Sequence, residues 1–231
     1  MVPVLTPGDP FPPTNTALQD PDGLLAIGGD LSPKTLIRAY RSGIFPWFTR
    51  NQPILWWSPN PRLILRPKNL KISGSLQKTL QKRMFEVTIN QSFEEVIKNC
   101  GPKRRDDPNS WITEEMLLAY TRLFDLGIAR SVETWLNGKL VGGLYGLSIG
   151  RVFFGESMFS FESDASKVAL TTFVDTLIAE NVEIIDCQVY SRHLESLGAE
   201  TVSRDKFEAL LSKLIQPSER IIARSPHIWD N

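Results

Sequence analysis

The chain reads as an α+β protein, and three observations set that class. Residues 129–158 carry three apolar runs, the first two separated by Asn137-Gly138, a pair whose ease at positive φ marks a tight antiparallel hairpin. Residues 165–215 then read helix, strand, helix, without the alternating strand–helix repeats of a parallel sheet. Upstream, Pro and Gly cut the chain into short elements until about residue 85, where that punctuation fades. These patterns predict a small N-terminal α/β domain over residues 1–85 and a larger domain over residues 86–231 with a mixed, mostly antiparallel sheet.

The elements follow in order. Ser32 opens a helix over residues 33–40, because its hydroxyl can accept one of the unpaired N–H groups of a first helical turn. Residues 54–57 and 63–66 are apolar runs bounded by prolines and read as short strands, and residues 75–83 read as a helix. Ser92 and Glu95 have the spacing of a capping box that starts a helix toward Cys100, followed by a loop over 101–110 with Lys103-Arg104-Arg105. Thr113 caps a helix that Gly127 ends. After the hairpin and a strand over 151–158, Asp164 caps a helix from Ala165 to about Glu180; residues 182–189 form a strand and 204–215 an amphipathic helix. That order suits an N-acetyltransferase-like (GNAT) architecture, a fold that by itself fixes no chemistry.

Composition narrows the function. At 231 residues and 42% hydrophobic content the chain can bury a sizeable core, and no apolar run is long enough to span a bilayer. Residues 1–13 lack the basic and apolar regions of a secretory signal, which predicts a cytoplasmic protein. Cys100, Cys187, His193 and His227 are too few and too scattered for a disulfide framework or a metal centre, so neither a metal nor another cofactor is expected. Charge is uneven within a formally neutral chain: residues 31–85 hold eleven Lys and Arg and no Asp or Glu. Such a segment, interleaved with Trp47, Trp56 and Trp57, suits a polyanion with stackable bases. A solvated basic face over aromatic core residues accounts for it equally well.

Polar residues inside apolar strands mark where chemistry could sit. In Ile184-Ile185-Asp186-Cys187-Gln188-Val189 the period of two sends Asp186 and Gln188 to one face, and Glu156 interrupts the aromatic strand around Phe153 and Met158. If the two strands are neighbours, all three polar groups converge beside an apolar pocket formed by Leu144, Phe153, Met158, Leu170 and Phe173. A satisfied buried hydrogen-bond pair and plain core packing explain the same residues one by one.

Eight ordered blocks resemble one known family. They are Asp22-Gly23-Leu24-Leu25-Ala26-Ile27-Gly28-Gly29-Asp30-Leu31-Ser32, Gly43-Ile44-Phe45-Pro46-Trp47, Ile54-Leu55-Trp56-Trp57-Ser58-Pro59, Trp111-Ile112, Leu140-Val141-Gly142-Gly143-Leu144-Tyr145-Gly146, Gly155-Glu156-Ser157-Met158-Phe159-Ser160, Ala165-Ser166-Lys167-Val168-Ala169-Leu170 and Ile185-Asp186-Cys187-Gln188. Together they resemble the bacterial leucyl/phenylalanyl-tRNA–protein transferases from about Phe11 to Leu214. The resemblance implies transfer of Leu or Phe, and less readily Met, from aminoacyl-tRNA to the N-terminal amine of proteins beginning with Arg or Lys, which marks them for N-end-rule degradation. It implies a catalytic pair at Asp186 and Gln188, with Glu156 in the active-site block. It also implies stacking of the tRNA 3′ adenosine on Trp47 and Trp111, an amino-acid pocket at the five apolar residues above, and phosphate contacts at Lys78, Lys82 and Arg83. Gly74, Gln81 and Arg130 depart from the family's pattern. Nothing suggests an obligate interface, so a monomer is expected.

Aminolysis of an activated ester needs no enzyme nucleophile, because the acceptor's amine attacks. That amine is already roughly a tenth neutral at pH 7, so deprotonation gains only about tenfold, whereas orientation can contribute about 7–11 kcal/mol. Gln188 could then act as a base or only position the amine, and Glu156 could meet either the basic acceptor terminus or the aminoacyl amine. Two rivals remain: an acetyl-CoA-dependent N-acyltransferase on the same fold, and a non-catalytic RNA-binding module. The stretch 159–167 is acidic and lacks the glycines of a pyrophosphate cradle, which disfavours the first.

Overall fold

The structure is a computed structural model and describes residues 1–101 and 112–216. The loop expected over 101–110 falls almost entirely outside the described residues, as do Trp111 and His227. In chain order the strands are β1 (Val4–Leu5), β2 (Leu24–Gly28), β3 (Phe45–Pro46), β4 (Leu55–Trp57), β5 (Arg62–Leu65), β6 (Glu86–Ile89), β7 (Ala129–Leu136), β8 (Lys139–Ile149), β9 (Val152–Ser160), β10 (Ile184–Gln188) and β11 (Glu200–Val202). The helices are α1 (Pro33–Arg41), α2 (Gly74–Gln81), α3 (Phe93–Cys100), α4 (Glu114–Asp125), α5 (Ala165–Ala179), α6 (Arg192–Ser196) and α7 (Arg204–Leu214). Among the described residues no helix is long and apolar enough to cross a membrane.

Two sheets organise these elements. A four-stranded sheet has the order β1-β2-β4-β3, and a seven-stranded sheet the order β11-β5-β10-β9-β8-β7-β6. Within the larger sheet only β9 and β10 run parallel, so the expected mixed, mostly antiparallel sheet is present. One face packs against α1, α3, α4, α7 and the small sheet, around Tyr40, Trp56, Tyr120, Phe154 and Phe207. The other face packs against α2 and α5, around Leu76, Phe153, Leu170 and Phe173. Strand β5 lies before residue 85 yet sits between β10 and β11, so the large sheet draws on both sides of the boundary expected there.

Local signals succeeded where the neighbours agreed with them. Ser32 and Thr113 accept the backbone N–H of Thr35 and Met116 at 3.3 and 3.1 Å. Asn137 and Gly138 take φ of 52° and 71° at the tip of the β7–β8 hairpin. Two expected caps did not form. The Ser92 hydroxyl bonds the Glu95 carboxylate at 3.0 Å, and the buried Glu133, rather than Glu95, takes the Ser92 N–H at 3.2 Å. Asp164 sits at φ 66° with its carboxylate on Thr79 and Lys167, while Ser160 Oγ accepts the Ser166 N–H at 2.9 Å.

Candidate active site

The site lies where the parallel pair of the larger sheet opens. Strands β9 and β10 pair from Ile184↔Val152 to Asp186↔Phe154 and then separate. Each carries an extra residue just past that point: Tyr145 pairs with Ser157 and Gly146 with Gly155, which leaves Glu156 unpaired, and Gln188 pairs with Leu63 while Asp186 pairs with Ile64, which leaves Cys187 unpaired. A bulge breaks the alternation of a strand and re-aims a side chain. The two bulges turn Glu156 and Gln188 toward each other, and Gln188 Nε2 donates to Glu156 Oε1 at 2.8 Å.

A hydrogen-bonded chain runs inward from this contact. Tyr120 Oη donates to Glu156 Oε2 at 3.0 Å, and the Tyr40 and Tyr120 hydroxyls are in contact behind it. On the other side the Gln188 backbone N–H donates to Asp186 Oδ1 at 2.9 Å. Asp186 also receives both arms of Arg62, Nε to Oδ1 at 2.8 Å and Nη2 to Oδ2 at 2.7 Å, with both side chains covered. Gln188 holds φ at 63°, a conformation that costs a non-glycine residue about 1–3 kcal/mol and that the bond to Asp186 helps to maintain. Asp186 therefore reaches Gln188 through the main chain, not through the carboxamide, whose Oε1 accepts from no described residue.

Electrostatics single out Glu156. Removal from water pushes its carboxyl up to about 7, against the hydrogen bonds from the tyrosines and Gln188 that favour ionisation, and the Asp186 charge adds to the rise. The hydroxyls of Tyr40, Tyr120 and Tyr145 are raised well above their ordinary value by burial, so they remain protonated donors.

Two cavities share Glu156 and Tyr145 as a partition. The first, about 180 Å³, is lined by Leu144, Phe153, Met158, Leu170 and Ile185 among others, with Ser191 and His193 also on its wall. The second, about 200 Å³, is framed by Phe45, Pro46, Trp47, Met116, Gln188 and Val189. Among the described residues, Glu156 and Asp186 are the only carboxylates on either wall, and of the two Glu156 alone retains exposure.

A family model described as leucyl/phenylalanyl-tRNA protein transferase matches residues 64–212, and one for the N-terminal domain of that family matches residues 29–60. The chain belongs to this family. A curated relative named leucyl/phenylalanyl-tRNA–protein transferase from Nitrosospira multiformis is 51% identical over 220 residues, 95% of each chain. Another of that name from Aromatoleum aromaticum is 54% identical over 212 residues, 92% of this chain and 90% of the relative. A solved GCN5-related N-acetyltransferase from Kribbella flavida overlays 74% of this chain and 61% of its own with a TM-score of 0.42 at 11% identity.

For a leucyl/phenylalanyl-tRNA–protein transferase family member, the residues expected from sequence divide into three groups. Asp186, Gln188 and Glu156 are brought together, as are Leu144, Phe153, Met158 and Leu170, while Trp47 borders the neighbouring cavity with its ring half exposed. Phe173 is displaced from the expected pocket: it packs edge-on behind Phe153, 5.0 Å between centroids, because α5 turns it into the core. Lys78, Lys82 and Arg83 are exposed at α2 and just after it, and no ion pair engages them among the described residues. Sequence reasoning missed Arg62, Tyr40 and Tyr120. Arg62 carries a signal, an arginine beginning an otherwise apolar strand, but charge alone groups it with the basic segment; the tyrosines carry none.

Proposed function

We propose that the chain transfers Leu or Phe, and less readily Met, from aminoacyl-tRNA to the N-terminal amine of proteins beginning with Arg or Lys, marking them for N-end-rule degradation. It acts as a cytoplasmic monomer. The observation that carries this reading is the pair of cavities divided by one ionisable carboxylate: an apolar one sized for a side chain, and an aromatic-rimmed one beside it. The amino-acid side chain enters the first, and the terminal adenosine stacks on Trp47 in the second, with Trp111 as its other expected contact. Lys78, Lys82 and Arg83 meet phosphates. The ester carbonyl then lies near Gln188 and Glu156.

In the reaction the acceptor nitrogen attacks the ester carbonyl carbon, the C–N bond forms and the C–O bond to the ribose breaks. One proton leaves the nitrogen and the ribose oxygen gains one. Gln188 Oε1, held by the Glu156 contact, accepts from the attacking amine and orients it. Glu156 neutralises the positive charge that develops or that a basic acceptor brings. Selection among donors follows pocket shape, since one methylene is worth only about 1–3 kcal/mol.

Acetyl-CoA fits less well: Ser160 Oγ already takes the Ser166 N–H in the first turn of α5, and the Asp164 carboxylate beside that turn repels a pyrophosphate. The test is to mix the protein with leucyl- or phenylalanyl-tRNA and an Arg-initiated peptide. A mass gain of one Leu or Phe residue supports the reading; no gain, or acetylation on adding acetyl-CoA, overturns it.

A further inference from the structure

Arg62 is one of the eleven basic residues of the positive segment, yet it is 1% exposed. Its guanidinium gives two parallel bonds to Asp186 and a third, Nη1 to the Gly43 carbonyl, at 3.1 Å. The rings of Phe45 and Phe207 lie 4.7 and 4.8 Å from its Cζ. One planar cation thereby ties together the turn before β3, β3 itself, β10 and α7. Two of these ties end on the second cavity: Phe45 forms part of its wall, and Asp186 holds the backbone of Gln188, which forms the opposite part.

A buried ion pair is a poor source of net stability, because desolvating both charges offsets their attraction. What it supplies is geometry, since a guanidinium meets a carboxylate in one bidentate arrangement and a lysine ammonium does not. We propose that Arg62 is a positioning residue for acyl transfer: paired with Asp186, it sets the spacing between the Phe45 wall and the left-handed bend at Gln188. Asp186 in turn acts through the Gln188 main chain instead of on the reacting atoms. This rests on the transfer reading above.

The experiment compares the parent, Arg62→Lys, Asp186→Asn and the double variant Arg62→Met/Asp186→Asn. Single-turnover transfer from phenylalanyl-tRNA to an Arg-initiated peptide, affinity for that tRNA and thermal melting are measured for each. Arg62→Lys is expected to slow the chemical step at least about tenfold, since a misplacement of about 1 Å costs up to ~100-fold, while tRNA affinity and its salt dependence stay at the parent's. The double variant removes both charges yet keeps an acceptor for the Gln188 N–H, so it is expected to transfer about tenfold faster than Asp186→Asn and to melt above it. A double variant no faster than Asp186→Asn would mean that the carboxylate itself serves the reaction, and overturns the proposal. So does Arg62→Lys at the parent's rate, or a rate loss matched by weaker tRNA binding with a shallower salt slope. Failure of the parent to transfer defeats the functional reading alone; the order of melting still tests the pair, and a double variant that melts below both single ones overturns it.

Discussion

Replacing Glu156 with Gln separates the cost of this carboxylate from its use. Tyr40, Tyr120, Tyr145, Gln188 and the Asp186–Arg62 pair surround it, and its carboxyl rises from 4.5 to about 7. Between these values the folded chain keeps a proton that the unfolded chain has released, so stability falls as pH rises through that window and stays lower above it. Full ionisation costs about 3 kcal/mol, most of which falls between pH 5 and pH 8. A Gln at this position escapes the penalty: its carbonyl can accept from Gln188 and its amide can donate to Tyr120. Thermal melts of parent and Glu156→Gln should therefore diverge from pH 5 to pH 8, with the variant gaining about 5–10 °C relative to the parent. Single-turnover transfer should move the other way, with the parent's rate climbing through about pH 7 and the variant slow and without that step. A melting gap that does not change with pH, or a variant as fast as the parent, refutes the assignment.

Other perturbations test the remaining parts of the site. Trp47→Ala should raise KM for aminoacyl-tRNA by about 5- to 100-fold, the worth of one base stacked on an aromatic ring, and an unchanged KM would remove Trp47 from the adenosine site. Met158→Ala enlarges the first cavity and should broaden donor acceptance toward larger side chains, read from competition among differently charged tRNAs; an unaltered ranking counts against its pocket role. Changing Lys78, Lys82 and Arg83 together to Ala should reduce the slope of log affinity against log salt by about 2–3 if they meet phosphates, and a parallel line would exclude them. Gly146→Ala places a Cβ 2.2 Å from the Phe154 carbonyl oxygen and 2.5 Å from the Phe153 ring. Melting should show a loss of about 1–3 kcal/mol; a variant as stable as the parent would mean that the β8–β9 bulge yields freely.

How much was legible depended on how far each decision reached along the chain. The β7–β8 hairpin, the caps at Ser32 and Thr113 and the stop at Gly127 rest on dihedral preferences and hydrogen bonds within a few residues, and all formed as expected. Ser92 and Asp164 had equally good local signals and lost to partners 41 and 85 residues away, Glu133 and Thr79. All five residues expected in the apolar pocket sit on strands or a helix; four of them line the cavity, and Phe173, on α5, lies one layer behind Phe153.

From sequence alone came the ordered elements, the family, the basic segment and the suspicion attached to Asp186, Gln188 and Glu156. The tertiary structure alone decided what those groups do to one another. Arg62 stands 124 residues from Asp186 and Glu156 stands 32 from Gln188, and no periodicity reports a pairing at such separations. The two bulges that aim Glu156 and Gln188 depend on which strands lie side by side, and an extra unpaired residue changes the facing of every position after it. Packing also places one arginine of the positive segment in the core, where it pairs with Asp186.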